Sequence, residues 1–347
     1  MLKWYEQVKT SPGNNYISSR IRLTRNWSEY KFPHCLRTEE AYALIERMNS
    51  ALSEFPKQTG ENISSMLLSE IPEVSRMAMR ERRIFNAGIT DRKTPVGVMF
   101  SESESISLVL NGDDHLRLQL LSPNFHLYDL WERANRLDDY MNEHFSYAFD
   151  ERYGYLSSFP TNVGTGMRAN VVVHLPALST GRQFPSLLES MTQFGVTIRG
   201  VYGNGKENYG ALYDISNSKT LGLSEREILD LVSKVVSQLN SEENQVRKKS
   251  LESHRLERLD EVYKSYGLLK YARKLSIRDA LRYLSQVMAG LSDGLIKTSV
   301  PCSIYRLYFG VQPSNLIAGA KGPVDREKID SIRADYIRRE LPELTES

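Results

Sequence analysis

Five arginines in this chain are spaced so that they can gather around a polyphosphate. Arg20 and Arg22 lie two apart in Ser18-Ser19-Arg20-Ile21-Arg22-Leu23-Thr24-Arg25-Asn26, so an extended backbone points both the same way. Arg117 follows Asn111 by six residues, an even step along the second arm of an expected hairpin. Arg168 comes at the end of Thr161-Asn162-Val163-Gly164-Thr165-Gly166-Met167-Arg168, where two glycines let backbone N–H groups approach an anion. Arg199 ends an apolar run and opens the loop Gly200-Val201-Tyr202-Gly203-Asn204-Gly205-Lys206-Glu207. Guanidinium groups bind phosphate oxygens through planar pairs of donors. Phosphoryl transfer, in turn, depends on positioning and charge neutralisation more than on covalent help.

Other nucleotide motifs fit less well. Gly164-x-Gly166-x-x-Ala169 formally matches a dinucleotide fingerprint, but that motif must leave a strand and open a helix. Here an apolar strand, Val171 to Leu175, follows directly. No Gly-Lys-Ser/Thr occurs beside it, so it is not a P-loop. Taken alone, the glycine pair is most simply a turn into a strand, and Arg20-x-Arg22 an exposed strand face.

The elements that must position these residues can be read from periodicity. Glu39 to Phe55 carries Ala41, Leu44, Ile45, Met48 and Leu52 on one helical stripe. Ser105–Leu110 and Leu116–Leu121 flank Asn111-Gly112-Asp113-Asp114, a hairpin signal because Asn-Gly takes positive φ readily. A helix is expected from Leu127 to about His144 and another near Arg182–Gln193, with strands at Val171–Leu175, Val196–Tyr202 and Ala211–Ile215. Ser224 and Glu227 form a capping box ahead of an apolar-periodic run from Ile228 to Leu239. Beyond Asn240 the pattern is charged and helical throughout, with Ser276 capping one helix and Asp330–Leu341 forming the last. The expected division is an α+β domain over 1–245 and an all-helical one over 246–347.

Composition excludes several classes. The 347 residues are 40% hydrophobic and 25% charged, with a net charge of +2 and no long basic run, which argues against nucleic acid as partner. Two cysteines, Cys35 and Cys302, exclude a disulfide framework and lack metal-ligand spacing, so no protein-held metal is expected. No apolar leader or membrane-spanning run is visible, and the expected location is the cytoplasm.

Four separated strings in order sharpen the reading: Ser18-Ser19-Arg20-Ile21-Arg22, Asn111-x-x-Asp114-His115-Leu116-Arg117, Asn162-Val163-Gly164-Thr165-Gly166-Met167-Arg168-Ala169, and Asp214-Ile215-Ser216-Asn217. With them the chain resembles the ATP:guanido phosphotransferases, the family of creatine, arginine and bacterial protein-arginine kinases. The resemblance implies a largely antiparallel sheet flanked by helices, followed by a helical C-terminal domain. It implies that Arg20, Arg22, Arg117, Arg168 and Arg199 clamp the phosphates of ATP. Their neighbours Ser18, Ser19, Ile21, Ala169, Asn170, Val171, Val172, Gly200, Val201, Tyr202, Gly203 and Asn204 complete the nucleotide site, with Mg2+ held mainly by the nucleotide.

Only 17 residues precede Ser18, where creatine and arginine kinases carry a helical domain. Gly154-Tyr155-Leu156, His174-Leu175-Pro176-Ala177-Leu178 and the helical C-terminal extension resemble the bacterial branch. That branch implies protein arginine as substrate, a small zinc-binding activator protein and a Clp-type protease as partners, and a homodimer through the C-terminal unit.

Several positions depart from the family pattern. Phe159 stands where the family has a reactive cysteine, and Gly112 and Asp113 stand at its glutamate pair. Asp113 is the expected base, one methylene shorter than glutamate. Asn204 replaces the mobile-loop glutamate, for which Glu207 is the candidate substitute, and Arg83 aligns with a nucleotide-side histidine. The phosphoarginine-receptor motif reads Ile329-Asp330-Ser331-Ile332-Arg333-Ala334, retaining Asp330, Arg333 and Ala334 but not its first arginine. Two functions follow as alternatives: a protein-arginine kinase with a degenerate guanidinium site, or an ATP-binding pseudokinase acting as an adaptor in protein quality control.

Overall fold

A computed structural model describes residues 1–203, 207–320 and 325–345. Its strands are β1 (Tyr16–Arg25), β2 (Ile63–Leu67), β3 (Gly97–Ser101), β4 (Ile106–Leu110), β5 (Leu116–Pro123), the short β6 (Phe149–Asp150) and β7 (Gly154–Tyr155), then β8 (Met167–His174), β9 (Val196–Gly200) and β10 (Leu212–Asn217). Its helices are α1 (Thr38–Ala51), α2 (Phe55–Thr59), α3 (Glu73–Glu81), α4 (Ala87–Thr90), α5 (Leu127–His144), α6 (Phe184–Thr192), α7 (Glu225–Ser253), α8 (Arg255–Tyr271), α9 (Ile277–Ser292), α10 (Tyr305–Gly310), α11 (Pro313–Ala318) and α12 (Ile329–Glu340).

Eight strands form one sheet in the order β2-β3-β4-β5-β1-β8-β10-β9, every neighbouring pair antiparallel. The α+β architecture expected from the sequence is the one observed. Alternation along the strands explains what each face does. Ile21 and Leu23 of β1, Leu118 and Leu120 of β5, Met167, Ala169 and Val171 of β8, and Ile215 of β10 point into the main core. There they meet the apolar stripes of α1, α5 and α7, such as Leu44, Ile45 and Met48, and Ile228, Val232, Val235 and Leu239.

The intervening residues face the other way, and that second face is covered only at its margins. On the β3–β4 side a small core of Leu68, Met79, Ile84, Phe85, Ile89, Val98 and Val109 seats α3 and α4. At one end of the central strands Ile17, Leu121, Val172 and Leu212 pack against the C-terminal helices. A register shift between Tyr16 and Ser18 turns Ile17 toward that second core while Tyr16 packs on the first. Between the two coverings the centre of the sheet stays open.

The capping readings hold. Ser224 Oγ accepts from Glu227 N and the Glu227 carboxylate accepts from Ser224 N, while Ser276 Oγ accepts from Asp279 N. The division at 245 does not coincide with a break, because α7 continues unbroken to Ser253 and the chain turns at His254. The apolar period simply runs on into a charged one without a helix-stopping residue. Nor is the C-terminal unit self-contained: Trp4 and Val8 from the N-terminus complete its core. Buried Arg247 on α7 ties the parts together, donating to Asn15 Oδ1 at 2.6 Å and Ala289 O at 2.8 Å and pairing with Asp293 at 2.7 Å.

Candidate active site

Register builds the site on the open face. Arg22 is the direct cross-strand partner of Arg168, Arg20 of Asn170, and Thr24 of Arg117. Asp214 stands opposite Arg199, and Ser216 opposite Asn170 and Thr197. All five arginines therefore come from β5, β1, β8 and β9, with β10 and its Asp214 between the last two, and line one cavity of about 480 Å³. A second cavity of about 330 Å³ continues from it past Arg80, Arg83, Phe85, Gly200 and Val201.

The electrostatics of this face are unfavourable to the protein alone. Burial lowers the Arg22 guanidinium to about 9, with repulsion from Arg117, Arg20 and Arg168 adding to it. Burial brings Arg117 down to about 10, against the attraction of Asp113, and lowers Arg20 and Arg168 as well. At neutral pH Arg22 and Arg117 remain charged. Among the described residues only Asp214 forms an ion pair with these arginines, accepting from Arg20 Nη2 at 3.0 Å and also from Asn170 Nδ2 at 2.9 Å. The Nε atoms of Arg22 and Arg117 are buried without a partner. A polyanion in the cavity supplies what is missing, namely negative charge and acceptors.

The glycine segment works differently from its sequence reading. Gly164 and Gly166 have φ of +108° and +62°, and an added Cβ would lie 2.3 Å from Thr220 O and 2.6 Å from Thr24 O, respectively. Their freedom is spent on close packing against neighbouring backbone. Gly164 N donates to Tyr155 O and Thr165 N to Thr220 O, so those N–H groups are not offered to an anion. What the segment contributes to the cavity is Arg168, with Thr161 and Asn162 beside it. Arg168 is braced by donating to Asn217 O and, at 3.0 Å, to Thr161 O.

Other expected nucleotide-site residues divide by strand parity. Asn170 lines the cavity, and Gly200 and Val201 line its continuation. Ile21, Ala169 and Val171 point into the main core and Val172 into the second one, so their side chains do not reach the cavity. Ser18 is buried, and Ser19 Oγ is engaged with Asn124 O and His126 N at 3.0 Å each. Tyr202 stacks on Tyr308 in the helical unit, with ring centroids 5.9 Å apart. Gly203 is exposed and outside the cavity lining, and Asn204 lies outside the described residues.

The turn of the β4–β5 hairpin, just ahead of Arg117, supplies another part of the lining. Asn111 takes φ +55° and its N–H bonds His115 O at 2.7 Å, so the turn forms as its sequence predicts. Asp113 lines the cavity and accepts from Arg92 Nη1 at 2.7 Å. Gly112 is closely packed: a Cβ would come within 2.9 Å of Val109 and 3.0 Å of Ile89. Apolar groups thus fill the space beside a position where the resemblance implies a glutamate.

Asp114 organises the neighbouring loop. It accepts from Asn26 Nδ2 at 2.6 Å, Ser157 Oγ at 2.9 Å and Ser158 N at 2.7 Å. Phe159, next in line, is 47% exposed and does not line the cavity.

One expected catalytic residue, Glu207, is not brought to the cavity. Glu207 faces the helical unit, where it accepts from Tyr209 Oη at 2.5 Å and pairs with Arg278 at 3.7 Å. The receptor-like residues are internal: Arg333 donates to Val311 O at 2.9 Å and Leu275 O at 2.8 Å and pairs with Asp330, while Ala334 is fully buried. Arg333 pins α12 to the turn before α9 and presents no free fork to a ligand.

Thr24, Asn86 and Ser216 line the cavity without having been singled out. Thr24 and Ser216 share strand parity with Arg22 and Asp214, a signal that was available. Asn86 and Arg92 come from loops whose approach no periodicity announces. Among the described residues no three or more His, Cys, Asp or Glu side chains converge as a metal site.

Similarity to known proteins identifies the family. Residues 43–246 match the family model described as ATP:guanido phosphotransferase, C-terminal catalytic domain, and residues 255–347 that of the protein-arginine kinase McsB C-terminal domain. The protein-arginine kinase of Shouchella clausii is 37% identical over 325 residues, covering 94% of this chain and 91% of its own. That of Bacillus subtilis is 35% identical over 342 residues, covering 97% and 93%. Among solved structures, the duplicated taurocyamine kinase of Schistosoma mansoni with transition-state analogue components has a TM-score of 0.60 at 22% identity, over 69% of this chain and 34% of that one. Lombricine kinase gives 0.58 at 21%, over 73% and 72%. These likenesses speak for the fold. The chain belongs to the ATP:guanido phosphotransferase family, on its protein-arginine kinase branch.

Proposed function

We propose that this protein transfers the γ-phosphoryl group of Mg-ATP to arginine guanidinium groups of proteins, from an acceptor side that is reduced to one carboxylate. The observation that carries the reading is the convergence of Arg20, Arg22, Arg117, Arg168 and Arg199 on one cavity that Asp113 also lines. The arginines hold the phosphates and neutralise charge that spreads over them during transfer. Asp113 orients the incoming guanidinium and takes its proton. Mg2+ enters with the nucleotide and neutralises part of its charge, since the cavity offers it no cluster of protein ligands. Glu207 acts in this scheme only if its loop leaves Arg278. The zinc-binding activator, the Clp-type protease, a C-terminal homodimer and a cytoplasmic setting belong to the same reading.

A second reading, an ATP-binding adaptor without transfer, is favoured by Phe159 and by the close apolar packing at Gly112. One experiment separates the two. The protein is incubated with Mg-ATP, an arginine-rich protein and any cognate activator, and acid-labile phosphate on arginine is measured. Signal above an Arg168→Ala control establishes transfer. Measurable ATP binding with no such signal establishes the adaptor. Gain of signal in Phe159→Cys shows that the rest of the acceptor wall is competent.

A further inference from the structure

The carboxylate assigned above as base already holds a guanidinium. Arg92 Nη1 donates to Asp113 Oδ1 at 2.7 Å, and Arg92 Nε donates to Thr94 Oγ1 at 2.9 Å, which fixes the plane of the fork. The pair is partly withdrawn from water, with Arg92 18% and Asp113 35% exposed. Arg92 sits in the turn that closes α4, its N–H donating to Ile89 O at 3.2 Å. Ile89 in turn packs on Gly112 and lines the cavity. The absence of a side chain at Gly112 and the presence of Arg92 are therefore features of one wall. Among the described residues Asp113 has no other ion pair.

We propose that Arg92 is a tethered competitor for the acceptor site, occupying the carboxylate that an incoming protein arginine must use. This rests on the phosphotransferase reading above and concerns the regulation of that same site. Two guanidinium cations on one carboxylate leave a surplus positive charge facing five further arginines, so repulsion favours one occupant at a time. An intramolecular partner held by Thr94 acts at high effective concentration without costing translational freedom. Substrate affinity is then reduced by the fraction of time that Asp113 is free. The arrangement spares weakly held arginines and selects substrates that bring additional contacts.

Initial rates on an arginine-rich protein at saturating Mg-ATP, measured on the full chain, test this. Arg92→Ala is expected to lower KM for the protein substrate about tenfold with kcat unchanged, if Asp113 is free about a tenth of the time. Thr94→Ala, which releases only the Nε anchor, is expected to lower KM by roughly two- to threefold. A raised or unchanged KM in folded Arg92→Ala, or a fall in kcat, overturns the proposal, because Arg92 would then be positioning Asp113 for catalysis. Should neither protein transfer phosphate, calorimetry with an arginine peptide and a non-hydrolysable ATP analogue still reads the competition. Tighter peptide binding by Arg92→Ala supports it even though the transfer reading has failed. Equal affinities, or no binding to either protein, overturn it.

Discussion

One wall of the cavity carries five guanidinium groups on β5, β1, β8 and the edge strand β9 of an eight-stranded sheet, whereas another is a hairpin turn and a loop. On the first wall, cross-strand register sets Arg22 against Arg168, Arg117 against Thr24 and Arg199 against Asp214, and the apolar partners of β1, β5 and β8 are locked into the main core. On the second wall, Gly112 is packed by Ile89 and Val109, Phe159 is exposed, and Asp113 is held by Arg92. The contrast teaches that, in the proposed reaction, phosphate binding would be secured by the sheet itself. The acceptor chemistry depends on short connections that can change without disturbing the core.

Changes on the two walls should therefore differ in kind, beginning with the largest. Arg168→Ala removes a braced charge from the phosphate wall, and transfer should fall by roughly 10²–10³, or about 3–4 kcal/mol of barrier, in a radiolabelled phosphate assay. A fall of less than about tenfold would mean that the phosphate wall is not where transfer is stabilised.

Adding ATP without acceptor should relieve the crowding of Arg22 and Arg117, stabilising the fold by about 2.7 kcal/mol at a hundred times its dissociation constant. Thermal melts at rising salt check this, because the gain should shrink as the arginines are screened. Salt-independent stabilisation would contradict the electrostatic account.

On the other wall, Gly112→Glu must displace Val109 and Ile89 and should destabilise by about 1–3 kcal/mol in urea unfolding. A neutral outcome would show that this wall retains room for a second carboxylate.

The smallest effect is expected outside both walls, at His174. Its imidazole is buried 2.7 Å from Ser285 Oγ, and burial, followed by Arg247, holds its pKa well below the ordinary value. The folded protein keeps it neutral while the unfolded chain protonates near pH 6.5. Its contribution is complete above about pH 6.5 and is lost as pH falls below that value. The urea midpoint should drop between about pH 7.5 and pH 5.5, and His174→Gln should flatten that slope without altering ATP affinity. Retention of the full slope in the variant would assign it to other groups.

Much of the fold was legible because it rests on periodicity. The stripes of α1, α5 and α7, the caps Ser224 and Ser276, and the Asn111 turn all follow from local patterns. The extent of α7 was not, since a helix that changes from apolar to charged carries no local stop signal before His254. Equally hidden was the union of Trp4 with the C-terminal core, a contact between segments some 300 residues apart.

Among site residues, those on strands could be placed by parity and those in loops could not. Arg20, Arg22 and Thr24 alternate with Ile21 and Leu23, and this period alone puts the cations on one face and the core on the other. The sequence by itself determined that alternation and the acceptor-side departures Phe159, Gly112 and Asp113. Only the tertiary structure decided that Gly164 and Gly166 serve backbone packing, that Glu207 turns to Arg278 and that Arg333 is consumed internally. It also brought Arg92 to Asp113, which lies 21 positions further along the chain. Spacing fixes where a side chain points along a strand. Which partner satisfies a loop side chain depends on how distant segments are folded together.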